Sequence, residues 1–207
     1  MKTAQDFASA RNVSRETLEK LAIYEKMLRK WTPAINLVAR STLEQLWSRH
    51  FLDSAQVYDL APKNGGHWVD LGSGGGFPGM VAAILATEEQ PEIRFSLVES
   101  DGRKAAFLSA VAQATDVKVA VIPERVESLA GLGADILTAR ALAPLDQLLL
   151  YADKHLKPAG TALFPKGVNY ASEMRQALEK WQFSCIENIS KTNPAAVVLT
   201  IGGIKRV

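Results

Sequence analysis

Two registers of hydrophobic and polar positions divide this chain. From Ser14 to Trp31, Leu18, Leu21, Ala22, Leu28 and Trp31 recur at helical spacing, and Pro33 is placed to end that helix. A second amphipathic helix is expected from Ser41, where Ser41-Thr42-Leu43-Glu44 has the form of a capping box. Its apolar positions are Leu43, Leu46, Trp47, Phe51 and Val57; it should end near Leu60, before the breaker Pro62-Lys63-Asn64-Gly65-Gly66. Two helices are too few to own a core, so residues 1–62 read as a helical N-terminal extension.

The period then changes. Short apolar runs suited to buried strands occur at Trp68–Leu71, Ile93–Glu99, Val117–Ile122, Ala134–Ala139 and Thr161–Phe164, the last after a Pro158-Ala159-Gly160 turn. Helical stretches separate them at Val81–Ala86, Gly102–Thr115, Val126–Leu132 (short) and Leu145–Leu156, and another follows at Tyr170–Trp181. Phe183–Ile189 and Ala195–Ile201, joined through Lys191-Thr192-Asn193-Pro194, read as a closing hairpin. Such alternation predicts an α/β fold, Rossmann-like, with a mostly parallel sheet covered on both faces. The hairpin should add an antiparallel strand. Right-handed crossovers put every βα turn on one edge, where ligands bind. We expect a single domain over residues 1–207 with the Rossmann-like core at 67–207.

Candidate chemistry gathers behind the first strand, in Asp70-Leu71-Gly72-Ser73-Gly74-Gly75-Gly76-Phe77-Pro78-Gly79. Strand, glycine turn and helix start lie within a dozen residues, so free N–H groups and a helix dipole face one space. The stretch loosely fits the dinucleotide pattern G-x-G-x-x-G, but Asp70 followed by Gly72, Gly74 and Gly76 fits the acidic-G-x-G-x-G pattern of S-adenosylmethionine enzymes in full. A carboxylate there would repel a pyrophosphate and could hold the ammonium of a methionine moiety. Glu99, at the end of the second strand, is spaced to accept both hydroxyls of a ribose.

Three more strand ends fall on that edge. Backbone groups in Glu124-Arg125-Val126-Glu127 could meet an adenine. Arg140 is too costly to desolvate for a filler and could grip a cofactor carboxylate, a phosphate or a guanine edge. Lys166 has an equivalent place. His50 and Asp53 lie one helical turn apart and form either an acid–base pair or a structural histidine beside an acid; His67 and His155 read as structural or surface groups.

Composition narrows the picture modestly. At 207 residues and a net charge of +2, one globular domain is expected and a nucleic-acid partner is allowed without being demanded. The lone cysteine, Cys185, rules out an internal disulfide and a Cys-based zinc site, and fits a reducing cytoplasm. The opening residues, Met1 to Asp6, lack an apolar signal core, and no apolar run reaches membrane-spanning length.

The glycine stretch, with Arg49-His50-Phe51-Leu52-Asp53-Ser54 upstream, resembles the bacterial small-subunit ribosomal RNA methyltransferase G family, also known as glucose-inhibited division protein B. Val98-Glu99-Ser100-Asp101-Gly102-Arg103-Lys104, Arg125-Val126-Glu127, Ala139-Arg140-Ala141 and Phe164-Pro165-Lys166-Gly167 extend the likeness over about residues 18–205. Ser73, Gly75 and Ala139 are mild departures. The resemblance implies a class I S-adenosylmethionine-dependent methyltransferase acting on N7 of a guanine in the 530 loop of 16S rRNA. It implies cofactor contacts at Gly72, Phe77, Val126, Glu127 and Arg140, beside Asp70, Gly74 and Glu99. Arg140, Lys166 and His50 are the candidates for touching RNA. No general base and no metal are expected, and the protein should be a cytoplasmic monomer meeting 16S rRNA or the small ribosomal subunit, with no membrane partner. The rivals are an NAD-dependent reductase, which would need a catalytic Tyr or His, and a non-catalytic ribosome-binding factor, which should have a decayed cofactor loop.

Overall fold

The computed structural model describes residues 3–63 and 66–207. Met1 and Lys2, and Asn64 and Gly65 of the expected breaker, lie outside them. The strands are β1 (His67–Leu71), β2 (Arg94–Val98), β3 (Val119–Ile122), β4 (Ala134–Ala139), β5 (Leu156–Lys166), β6 (Trp181–Ile189) and β7 (Val197–Arg206). They form one sheet in the order β3-β2-β1-β4-β5-β7-β6. Strands β1 to β5 pair in parallel, and β7 is antiparallel to both β5 and β6. The order reverses between β1 and β4, so the turns after these strands flank a switch point where a crevice opens. This is the expected α/β architecture with its closing antiparallel hairpin.

Helices α1 (Ala4–Ala10), α2 (Arg15–Ile35) and α3 (Asp53–Leu60) precede the sheet; α4 (Gly79–Glu89), α5 (Gly102–Thr115), α6 (Leu145–His155) and α7 (Tyr170–Leu178) connect its strands. One apolar cluster joins Leu21, Tyr24, Leu28, Trp47 and Phe51 of the N-terminal helical segment to Phe77, α4 and Phe107. A second packs α6 against β4, β5 and β7. The N-terminal segment therefore buries its apolar face against the βα layer that carries the glycine turn.

Several local expectations change. Helix α2 runs past Pro33 to Ile35 and stops at Asn36, whose backbone is left-handed (φ 51°) and whose N–H reaches the Thr32 carbonyl at 3.0 Å. Pro33 is exposed and in the last turn, so its missing N–H removes a single bond where the helix is ending anyway. Ser41 caps nothing: Arg40–Gln45 is a 3-10 turn without a side-chain cap, and Trp47–Leu52 is a wide π turn before α3 begins. The Thr42 hydroxyl instead donates to the Ala39 carbonyl at 2.7 Å, and the wide turn brings Trp47, His50 and Phe51 all inward. Helix α1, closed by a reciprocal bond pair between Thr3 and Asp6, was too short to show in the pattern. Pro158-Ala159-Gly160 is an irregularity inside β5 rather than a turn before it, and Val126–Ser128 is only a single 3-10 turn.

Candidate active site

The site is built on the glycine turn after β1. Gly74 has φ 55°, a conformation that strains any residue with a Cβ, although such a Cβ would meet only the Gly72 carbonyl oxygen, at an ordinary 3.8 Å. Its N–H donates to Glu99 Oε2 at 2.8 Å. At the start of α4, a Cβ on Gly79 would lie 2.6 Å from the Asp70 Cβ, so only glycine lets the helix close onto β1.

That closeness explains Asp70. The structure places this carboxylate beneath the turn, fully buried, and not on the crevice wall. Oδ2 accepts the Gly79 N–H at 3.3 Å and Oδ1 the Thr138 hydroxyl at 2.7 Å. Burial pushes its carboxyl up to about 6, against the opposing pull of these bonds. Instead of facing an ammonium group, as expected, Asp70 braces the turn from below.

The other cofactor candidates come together. Gly72, Gly74, Phe77, Glu99, Val126, Glu127 and Arg140 line one cavity of about 390 Å³. Glu99 is almost buried; Oε2 holds Gly74 and Oε1 accepts the Asp101 N–H at 2.8 Å, so the carboxylate is fixed with a lone pair to spare on each oxygen. Glu127 accepts from the Tyr151 hydroxyl, which holds its carboxyl below the ordinary range. Tyr151 also lines the cavity, and sequence reasoning missed it: within α6 it reads as one more apolar position. Leu37 and Lys104 line the cavity as well, and neither was singled out as a site residue from the sequence. His155 is buried behind Val126, its Nε2 3.2 Å from the Val126 carbonyl, and His67 Nε2 lies 2.8 Å from Ser96 Oγ. Both are structural.

Arg140 stands at a junction. It lines this cavity and a larger neighbouring one of about 940 Å³, which also takes in Arg49, His50, Asp53 and Lys166. Its guanidinium lies 5.0 Å from the centroid of the Phe77 ring. Nη2 is 2.8 Å from His50 Nδ1, and Nη1 reaches Asp53 Oδ2 and the Arg49 carbonyl at 3.5 and 3.4 Å. The first cavity's wall carries both signs of charge: Glu99, Glu124 and Glu127 with Lys104, Arg125 and Arg140. Such a wall fits a ligand carrying both an amine and a carboxylate, with ribose hydroxyls.

The chain matches the family described as rRNA small subunit methyltransferase G over residues 17–196. A relative of that name from Ruegeria pomeroyi (strain ATCC 700808 / DSM 15171 / DSS-3) is 54% identical over 97% of this chain and 98% of its own length. Another, from Ruegeria sp. (strain TM1040), is 52% identical over 95% of each. This chain belongs to the rRNA small subunit methyltransferase G family. Among solved structures it is similar to a ribosomal protein L11 methylase from Lactobacillus delbrueckii subsp. bulgaricus (TM-score 0.57, 17% identity, 72% of this chain and 76% of that one). It is also similar to P. horikoshii TYW2 in complex with MeSAdo (TM-score 0.54, 13% identity, 76% and 62%). At such low identity these two support the class I methyltransferase fold and nothing finer.

In this methyltransferase His50 and Asp53 are not partners of each other. Arg140 stands between them, and Asp53 Oδ1 instead accepts from Gln56 Nε2 and the Thr192 hydroxyl, both at 2.7 Å. Gln56 Oε1 takes the Lys191 N–H at 2.8 Å, so α3 is fastened to the β6–β7 turn that walls the second cavity. Lys166 lies on the same wall, but its ammonium is 2.6 Å from Glu173 Oε2 and 3.0 Å from the Ala143 carbonyl. Glu173 also accepts the Leu145 N–H at 2.8 Å, which ties Lys166 to the loop that follows Arg140. Lys166 thus reaches the second cavity already paired.

Proposed function

We propose that this methyltransferase transfers a methyl group from S-adenosylmethionine to N7 of a guanine in the 530 loop of 16S rRNA. The first cavity is read as the cofactor site and the second as the place of the target base. The observation that carries this reading is Arg140, which borders both cavities while resting on Phe77 of the glycine turn. Glu99 offers acceptors for ribose hydroxyls, Gly72, Gly74 and Val126 offer backbone, and Glu127 and Arg140 offer charge. Asp70 supports the turn from beneath. When bound, S-adenosylmethionine supplies an electrophilic methyl group on a sulfonium.

Guanine N7 is an acceptor with a free lone pair, so no proton has to leave before it attacks. The residues therefore have alignment to perform, worth up to roughly 7–11 kcal/mol when the geometry is good. A guanidinium only donates. Arg140 suits the O6 acceptor beside N7 of guanine and is mismatched to the N6 amine of adenine. We read residues 1–62 as an extension of one domain, and the protein as a monomer acting on rRNA or the small subunit in the cytoplasm.

An rRNA substrate with 7-deazaguanosine at the target tests the atom. It keeps the Watson–Crick edge and loses only the N7 lone pair. Transfer of label from methyl-labelled S-adenosylmethionine should vanish, while binding weakens by about 1–3 kcal/mol for one lost acceptor. Label on that substrate would move the methyl to another atom.

A further inference from the structure

We propose that His50 is a positioning residue for this methyl transfer: its Nδ1 accepts from Arg140 and fixes that guanidinium at the junction of the two cavities. The proposal rests on the functional reading above, and extends it to a residue of the N-terminal segment. The direction of every hydrogen bond in the chain follows from chemistry. Arginine has no acceptor, so at 2.8 Å from Arg140 Nη2 the His50 Nδ1 must be bare. The ring proton of a neutral imidazole is then on Nε2, which faces Thr42 Oγ1 at 2.9 Å. Thr42 can accept it because its own hydroxyl hydrogen is committed to the Ala39 carbonyl at 2.7 Å.

Packing holds the pair together. The His50 ring lies 4.9 Å from the Phe77 centroid and the Arg140 guanidinium 5.0 Å from the same ring, so both rest on the glycine turn. Burial, then Arg140 and Arg49, push the imidazolium down to about 3, so His50 stays a neutral acceptor; the acid at hand, Asp53, faces Arg140 instead. The wide turn Trp47–Leu52 is what points His50 inward beside Phe51. A histidine so engaged on both nitrogens does not serve as a proton acceptor in the reaction; it aims its neighbour.

Two amides separate this role from a merely structural one. Asparagine places an oxygen near the position of Nδ1, whereas glutamine reaches the position of Nε2 and keeps the Thr42 side. With kcat and KM measured on rRNA and cofactor affinity by calorimetry, His50→Asn should stay within about fivefold of native kcat. His50→Gln and His50→Ala should lose about 10- to 100-fold, the scale of a misplaced reacting group. His50→Gln should cost nothing further in an Arg140→Gln background, because it acts through that arginine. Equal losses for the two amides, better retention by glutamine, or additive losses in the double variant would overturn the proposal. Long-range ¹H–¹⁵N spectra test the contact without any turnover. His50 should appear as the Nε2–H tautomer and not titrate between about pH 5 and 8, where a free histidine would. An Nδ1–H or titrating His50 would refute the contact, while an absence of N7 methylation by the native protein would refute only the functional reading.

Discussion

Asp70 and Glu99 are acids at the ends of adjacent strands, yet they sit in different surroundings. Glu99 holds two loop N–H groups at the edge of the first cavity, whereas Asp70 is sealed under the turn among Gly79, Thr138 and Leu97. The folded pKa of Asp70, about 6, exceeds the value of about 3.9 for an unfolded aspartate. Between these values the folded state binds a proton that the unfolded state has released. The stabilising contribution is therefore full below about pH 4 and is lost as pH rises through about 6. In denaturant titrations, the stability of the native protein relative to Asp70→Asn should fall by roughly 3 kcal/mol between about pH 4 and 7. A gap that stays constant over that range would remove burial as the cause.

Helix α2 is a support for the glycine turn as much as a cover for α4 and α5. Its Tyr24 is fully buried, stacks on Phe77 at 5.5 Å, and donates its hydroxyl to the Gly75 carbonyl. Burial raises the Tyr24 pKa well above 10, so the hydroxyl keeps its proton and remains a donor. Tyr24→Phe should cost about 1–3 kcal/mol in unfolding free energy, because it orphans a buried carbonyl, and should also weaken S-adenosylmethionine binding. Calorimetry beside denaturation decides whether the two losses travel together; native affinity in a destabilised variant would disconnect α2 from cofactor binding at the glycine turn. The apolar spacing of α2 was legible, but Tyr24 was not singled out. A tyrosine on an apolar stripe looks like any core residue until its hydroxyl finds a partner 51 residues away.

Across the whole molecule, a net charge of +2 leaves RNA binding to a local arrangement of cations. Arg49 is exposed at the second cavity, while Lys166 there is paired with Glu173. Each phosphate neutralised on single-stranded RNA contributes about −0.7 to the slope of log affinity against log salt. Arg49→Ala should flatten that slope by about one such step, and Lys166→Ala should leave it nearly unchanged. A filter-binding salt series on both variants checks this, and a flattened slope for Lys166→Ala alone would reverse the assignment.

By itself the sequence determined the alternation of strands and helices, the closing hairpin, the glycine turn and the strand ends that approach it. These follow from short-range rules: apolar period, turn chemistry, and the handedness that places βα turns on one edge. Gly72, Gly74, Glu99, Arg140 and the backbone of Glu124-Arg125-Val126-Glu127 were legible for that reason, whereas Phe77 and the choice of Val126 and Glu127 as contacts came from the family resemblance. Tertiary structure alone decided which acid faces the crevice, because the inward or outward aim of Asp70 depends on how closely α4 can pack at Gly79. It also decided the partners of Arg140, Asp53 and Lys166. Arg140 and Asp53 find partners remote in sequence once the segments around residues 50, 140 and 190 meet, whereas Lys166 is taken up by Glu173 on the helix that follows its own strand and by the Ala143 carbonyl.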